Sequence, residues 1–266
     1  MMQKNIVITG CSSGIGLTAA NDLLLRGYRI FAVCRKAEDV QRMDTLGFTG
    51  IKMDLDSATS VSAAAQQILK LADNQLYALF NNGGYGVYGE IASLSRAQLE
   101  QQFATNLFGT HQLTALLLPA LKANGGGRII NTSSVLGLVS TPGRGAYAAS
   151  KYALEAWSDA LRIELYDSGV RVSLIEPGPI TTRFTDNVNQ SREDKPVVNP
   201  SIVARFSLPP EAILPKLRHA LESAHPRLRY PVTLVAHTMA ILRRVLPGWM
   251  MDRILRGQSR HNDDFA

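Results

Sequence analysis

Short apolar runs and longer amphipathic stretches alternate along this chain. Asn5–Thr9 (NIVIT) is β-branched and is followed by a Gly-rich turn, a helical stretch Leu17–Gly27 (LTAANDLLLRG) and a second apolar run, Tyr28–Val33 (YRIFAV). Similar runs recur at Ile51–Leu55 (IKMDL), Leu76–Asn81 (LYALFN), from Ile129 to the pair Ser133–Ser134, and at Val170–Ile175 (VRVSLI). Short continuous apolar runs bounded by turn residues suit strands buried on both faces. Helical periodicity fills Ser95–Leu121 and an Ala-rich stretch from near Tyr147 to Leu165. Strand and helix in alternation predict an α/β fold, a doubly wound parallel sheet. After residue 182 the pattern changes. Residues 183–210 are polar, Pro-punctuated and without period, which reads as a lid. A helix over Glu211–Ser223, a short strand Arg227–Tyr230 and a helix Leu234–Leu246 follow. The chain therefore reads as one domain, with a core over 4–182 and a helical C-terminal extension over 183–266.

Candidate chemistry sits where the apolar runs end. The first run leads into Gly10-Cys11-Ser12-Ser13-Gly14-Ile15-Gly16. Strand, Gly-rich turn, helix and strand within ~30 residues form a dinucleotide-binding unit, in which a tight turn presents a helix N-terminus to a pyrophosphate. The spacing is G-x-x-x-G-x-G rather than G-x-G-x-x-G, and a Gly-rich helix start without a ligand is the plainer alternative. The second run ends at Cys34-Arg35-Lys36. No acid stands there to accept from ribose hydroxyls, whereas Arg35 and Lys36 suit a 2′-phosphate, so the sequence favours NADP over NAD. Two solvated basic groups at a strand end are the alternative. Asp54 ends the third run, where it can accept from an adenine amino group or cap the next helix. Asn82-Gly83-Gly84 after the fourth run lets a loop pass close to a cofactor. Glu176–Thr182 is a Pro/Gly bend at a carboxyl strand end, where open parallel sheets bind ligands.

Tyr147 and Lys151 are four residues apart on one helix and share a face, although a surface Tyr and a solvated Lys on an ordinary helix are the plainer alternative. An ammonium beside a phenol favours the phenolate, so the Tyr147 pKa is expected to fall from ~10, giving a proton donor usable near neutral pH. Ser134, on the strand before, is placed to hydrogen-bond the same substrate oxygen. Asn106 lies mid-helix, where a buried amide needs partners and an exposed Asn at low helical cost is the alternative.

Composition narrows the classes. The chain has 266 residues, of which 45% are hydrophobic and 19% charged, ordinary for a globular core. Its 2 Cys offer no disulfide framework, and the start MMQKNIVITG runs straight into a strand, so a reducing cytoplasm is expected. No run of 18 apolar residues predicts a membrane-spanning helix. The formal net charge is +6, and residues 205–260 hold ten Lys/Arg against three Asp/Glu. No helix-turn-helix, zinc-ligand spacing or aromatic RNA motif accompanies that charge, so no nucleic-acid partner is expected. The basic excess lies in the mixed apolar segment AILRRVLPGWMMDRILRG, which reads as a peripheral membrane contact or as a core-facing helix with a solvated edge.

Taken together and in this order, Gly10–Gly16, Asn81–Gly84, Asn106, Ser134, Tyr147, Lys151 and Pro177–Gly178 resemble the short-chain dehydrogenase/reductase family over roughly residues 4–182. The Cys34-Arg35 strand end and Leu228-Arg229-Tyr230-Pro231 are similar to the 17β-hydroxysteroid and retinol dehydrogenase-like branch. Asn81-Asn82-Gly83-Gly84 departs from the usual N-N-A-G, and Ser13 stands where some NADP-preferring members are basic. The resemblance implies a sheet of about seven strands and hydride transfer between NADP(H) and a carbonyl or alcohol. It implies Tyr147 as general acid/base, Lys151 as its pKa modulator and a nicotinamide-ribose ligand, and Ser134 as the group polarising the carbonyl. Asn106 would hold a helix bulge and a water linked to Lys151. Gly10, Ser12, Ser13 and Ile15 would border the phosphates, Asp54 and Leu55 the adenine, and Asn81 and Gly83 the adenosine ribose. Pro177, Ile180 and Thr182 would border the nicotinamide. Pairing through Ser95–Leu121 and Tyr147–Leu165 would give a homodimer or a tetramer. Apolar Phe206, Leu208, Ile213 and Leu214 point to a hydrophobic aldehyde, ketone or alcohol substrate. A dinucleotide-binding regulator without turnover is the competing reading; an intact Asn106, Ser134, Tyr147 and Lys151 set speaks against it.

Overall fold

The computed structural model describes residues 3–123, 125–182, 184 and 207–263, with side chains through Arg256. Its seven strands are β1 (Asn5–Thr9), β2 (Arg29–Cys34), β3 (Thr49–Lys52), β4 (Ala78–Asn81), β5 (Arg128–Thr132), β6 (Arg171–Glu176) and β7 (Arg229–Pro231). They form one sheet in the order β3-β2-β1-β4-β5-β6-β7, with every pairing parallel. The winding direction reverses between β1 and β4, which leaves a crevice at their carboxyl ends.

The helices are α1 (Gly14–Leu25), α2 (Ala37–Thr45), α3 (Ala58–Leu71), α4 (Arg96–Phe103), α5 (Thr110–Lys122), α6 (Gly145–Glu164), α7 (Leu214–Glu222), α8 (Leu234–Val245) and α9 (Gly248–Asp263). Successive residues of each central strand serve opposite faces. Ile6 and Ile8 join the cluster that holds Leu23, Met43 and Leu217 from α1, α2 and α7. Val7 joins Ile68, Leu113 and Leu161 from α3, α5 and α6. A strand covered on both sides needs apolar residues at every position, which is why these runs show no alternation.

Four expectations change in detail. The third strand is Thr49–Lys52, so Asp54 lies beyond it in a turn, where its Oδ1 accepts from the Asp56 N–H at 3.1 Å. The cap of α3 is Ser57, whose Oγ accepts from Ser60 N at 3.3 Å, and Asp54 does not cap the helix. The long helix over Ser95–Leu121 is α4 and α5 joined by a π-helical turn, Ala104–Gly109. The helix α2, mostly polar with only Met43 buried, left no strong apolar period in the sequence. Of the apolar residues assigned to a substrate mouth, Ile213 is fully buried in the core with Ala19, Ala20 and Leu217, because the turn before α7 packs beneath α1. Leu208 is partly exposed and bridges to Ile180. Phe206 and most of the expected lid lie outside the described residues.

The last residue of the π-turn is pressed against the loop after β3. A Cβ on Gly109 would stand 2.2 Å from the Leu55 carbonyl oxygen, so only glycine lets this helix lie so close to the loop after β3. Gly109→Ala should therefore push the two apart. It is expected to destabilise the chain by ~1–3 kcal/mol, read as a lower denaturation midpoint, whereas an unchanged midpoint would refute the contact.

Candidate active site

The carboxyl ends of β1, β4 and β5 are stitched by short polar contacts. Thr9 Oγ1 accepts from the backbone N–H of Asn82 (3.0 Å) and Gly83 (2.8 Å), and Asn82 Nδ2 donates to the Thr9 carbonyl at 3.2 Å. Thr132 Oγ1 donates to Asn82 Oδ1 at 3.2 Å. The glycine turn is pressed against this loop. A Cβ on Gly10 would come within 2.9 Å of Gly83 Cα, and one on Gly16 within 2.2 Å of the Gly10 carbonyl. Gly10 also adopts φ 72°, which a side chain would strain. Asn81 is buried, and its Nδ2 donates to Thr114 Oγ1 (3.1 Å) and Asn131 Oδ1 (2.9 Å). Its side chain is thus committed to the interior, and Asn82 and Gly83 form the loop surface.

Helix α1 begins at Ser13, which makes no side-chain cap bond, and its first turn holds no acid. Uncapped N–H groups and the positive end of the helix dipole suit an anion. Thr182 packs on this turn, its Cγ2 3.0 Å from where a Gly14 Cβ would be. Arg35 is exposed at the end of β2, with no hydrogen bond or ion pair to a described residue. Exposed Lys36 lies 3.3 Å from Glu38. Arg42, which the motif reading passed over because it lies on α2, donates to the Ser12 carbonyl at 2.6 Å and to Asp39 at 2.7 Å.

Lys151 is buried, and its Nζ donates to the Thr132 carbonyl at 2.7 Å. The same nitrogen lies 5.7 Å from the centre of the Tyr147 ring. Asn106, on the π-turn and also buried, accepts from Tyr85 N (3.1 Å) and donates to the Tyr85 carbonyl (3.0 Å) and Ser150 Oγ (3.0 Å). Ser150 in turn donates to the Tyr147 carbonyl at 2.8 Å, so Asn106 clamps the first turn of α6. Ser134 Oγ accepts from Leu136 N at 3.1 Å and lies close enough to Tyr147 to favour its phenolate. The Tyr147 ring is walled by Tyr88 and Phe184, with centroids 6.0 and 5.5 Å away, and by Leu136. Serine from just beyond β5, tyrosine and lysine from α6, and asparagine from the π-turn are thus brought to one place beside the glycine turn.

Residues 4–193 match the family described as short chain dehydrogenase. The chain is 62% identical over 257 residues, covering 97% of it and 96% of the relative, to the uncharacterized oxidoreductase YbbO of Escherichia coli K12. It is 32% identical to human retinol dehydrogenase 16, covering 96% of this chain and 88% of the relative. The fold is similar to that of a Burkholderia cenocepacia short chain dehydrogenase in complex with NADP. The TM-score is 0.79 at 25% identity, covering 96% of this chain and 99% of the other. The chain belongs to the short-chain dehydrogenase family. It is an oxidoreductase of the kind that acts on CH–OH and C=O groups.

The electrostatics of this dehydrogenase correct one expectation. The Tyr147 pKa is raised, not lowered. Burial is the main cause and Tyr88 adds to it, while Ser134 and Arg144 act in the opposite sense. The ammonium that was to lower it lies over the ring and spends its hydrogen bond on Thr132. Burial also pushes Lys151 down to about 8, and the Glu155 carboxylate opposes that fall.

Glu155 is a candidate site residue that the motif reading missed, although its place four residues after Lys151 put it on the same helical face. Its Oε2 accepts from Arg229 Nε at 3.0 Å, and Arg229 Nη2 donates to Asp159 at 2.7 Å. Glu176 Oε1 lies 3.3 Å from the same Nε. Burial, then the Glu155 charge, pushes Glu176 up to about 7, against the pull of Arg229 and Arg244. Arg229 from β7 thus holds an acid of the catalytic helix and one of β6 together. Glu155→Gln removes the negative charge that keeps Lys151 protonated. A buried lysine without that partner loses its proton at lower pH, so the alkaline fall of activity should move to lower pH. A pH–rate profile that overlays wild type would remove Glu155 from this role.

Proposed function

We propose that this chain is an NADP(H)-dependent carbonyl reductase or alcohol dehydrogenase for a hydrophobic substrate. The observation that carries the proposal is the convergence of Ser134, Tyr147, Lys151 and Asn106 beside the Gly10–Gly16 turn. When bound, NADP(H) supplies or accepts the hydride. Its pyrophosphate suits the uncapped start of α1, with Gly10, Ser12, Ser13, Gly14, Ile15 and Gly16 around it. Arg35 is exposed to take a 2′-phosphate, Lys36 would join it on turning from Glu38, and the Burkholderia relative is in complex with NADP. Asp54 and Leu55 would border the adenine, Gly83 and the Asn81 backbone its ribose, and Pro177, Ile180 and Thr182 the nicotinamide side. Lys151, whose Nζ donates to the Thr132 carbonyl, would hold the nicotinamide ribose.

In the reductive direction Ser134 hydrogen-bonds the carbonyl oxygen and Tyr147 delivers a proton to it as negative charge develops. Both interactions strengthen as the oxygen becomes an alkoxide, which is what lowers a barrier. A tyrosine kept protonated by its apolar walls remains a donor at neutral pH, and Lys151 stabilises the phenolate left behind. Tyr88, Phe184 and Leu136 exclude water and favour an apolar substrate. A retinol dehydrogenase among the relatives supports the hydrophobic class without naming the molecule. The complete residue set speaks against a regulator without turnover.

A homodimer or tetramer through α4, α5 and α6 belongs to the same proposal. It is supported by Phe108, Leu116 and Ile163, which are 58%, 39% and 65% exposed there. Two free, buried cysteines support a reducing cytoplasm, and no described helix is long and apolar enough to cross a membrane.

Tyr147→Phe should cut turnover of an aldehyde by ~10²–10⁴-fold, as loss of a catalytic acid does, while NADPH binding followed by fluorescence persists. Near-wild-type turnover would overturn the assignment. Arg35→Asp should shift preference from NADPH toward NADH by removing a phosphate partner and adding repulsion. Unchanged kcat/KM ratios for the two cofactors would reject the 2′-phosphate role.

A further inference from the structure

The outward side of the C-terminal helices is apolar and edged with arginine. On α8, Leu234, Ile241 and Val245 recur at helical spacing and are 75%, 63% and 73% exposed. The inward side of the same helix carries Ala236, which is fully buried. On α9, Trp249 is 67% exposed while Met251 is turned into the body. Arg253 and Arg256 follow Trp249 at i+4 and i+7, so they share its side. Arg243 is exposed at the end of α8. Residues 234–256 hold four arginines against one acid, Asp252. Four well-exposed large apolar groups, Leu234, Ile241, Val245 and Trp249, are thus gathered within sixteen residues on a strongly basic part of the chain.

The placement of α8 ties this face to the site. Its N-cap, Thr233, accepts from Ala236 N through Oγ1 at 3.2 Å. A Cβ on Gly178 would stand 2.1 Å from that Oγ1, so α8 starts in direct contact with the Pro177–Gly178 bend. The Pro177 carbonyl accepts from Val135 N at 2.8 Å, next to Ser134. The exposed face therefore begins at the bend that borders the candidate active site.

We propose that the outward faces of α8 and α9 dock on an anionic lipid surface, from which the enzyme takes a long-chain carbonyl substrate. Apolar side chains enter the acyl boundary and arginines meet the phosphates, with Trp249 at the headgroup level. Charge complementarity decides between this and a second copy of the chain. A two-fold pairing would set the same positive patch against itself, whereas an anionic bilayer neutralises it. The docking claim stands without the reading under the previous heading; the delivery claim rests on it.

The test uses the full chain and vesicles of phosphatidylglycerol with phosphatidylcholine, against phosphatidylcholine alone. Co-sedimentation is expected with the anionic vesicles, weakened by salt, with a blue shift of Trp249 emission in a Trp157→Phe background. Ile241→Glu with Val245→Glu should abolish sedimentation while turnover of a short, water-soluble aldehyde stays at wild type. With wild type, anionic vesicles should lower KM several-fold for a long-chain aldehyde and leave the short one unchanged. No sedimentation, or sedimentation retained by the double variant, overturns the docking. A double variant that changes the oligomeric mass assigns the face to a second copy and overturns it as well. Vesicle binding without turnover of any carbonyl leaves the docking standing and overturns the delivery together with the proposed function.

Discussion

A lysine ammonium held inside the protein is the constraint around which the structure is arranged. Removing a cation from water costs several kcal/mol unless nearby groups compensate. Lys151 is compensated from three directions: a carbonyl at the end of β5, the carboxylate of Glu155 one turn along its own helix, and a short approach to an aromatic ring. None of these is an ordinary surface ion pair. The carbonyl belongs to Thr132 of β5 and the carboxylate is held by Arg229 of β7, so the charge and the architecture support one another.

The same logic explains the density of polar contacts at the carboxyl edge of the sheet. Thr9, Asn82 and Thr132 tie three strand ends into one rim, and Asn106 joins the π-turn to the start of α6. A buried amide or hydroxyl is tolerated only when paired. Here the pairs hold a glycine turn, a loop and a catalytic helix in fixed relation. A small error in any of them would separate the tyrosine from the serine, and orientation of that quality accounts for much of an enzyme's rate.

The C-terminal extension is more than a cover. Arg229 reaches from β7 to Glu155 on the catalytic helix and to within ion-pair distance of Glu176 on β6. Thr233 packs on the bend that borders the site. Through these residues the tail is mechanically and electrostatically joined to the lysine.

The sheet and its winding were readable from Asn5–Thr9, Tyr28–Val33 and Val170–Ile175 because a strand buried on both faces must be apolar throughout, a local property. The pairing of Tyr147 with Lys151 was readable because helical spacing is local too, and so was the glycine turn. The polar helix α2 was not, since it buries little beyond Met43. Helical period located Asn106 within a long helix, but nothing local marked the π-turn, whose last residue, Gly109, lies against the Leu55 carbonyl. Tertiary packing alone decided that the Asn81 side chain faces inward, that Ile213 serves the core, and that Asp54 leaves the capping to Ser57. It also reversed the expected direction of the Tyr147 pKa. Spacing along a helix tells which charge is near, whereas the dielectric around a phenol is set by Tyr88, Phe184 and Leu136, which arrive from distant parts of the chain.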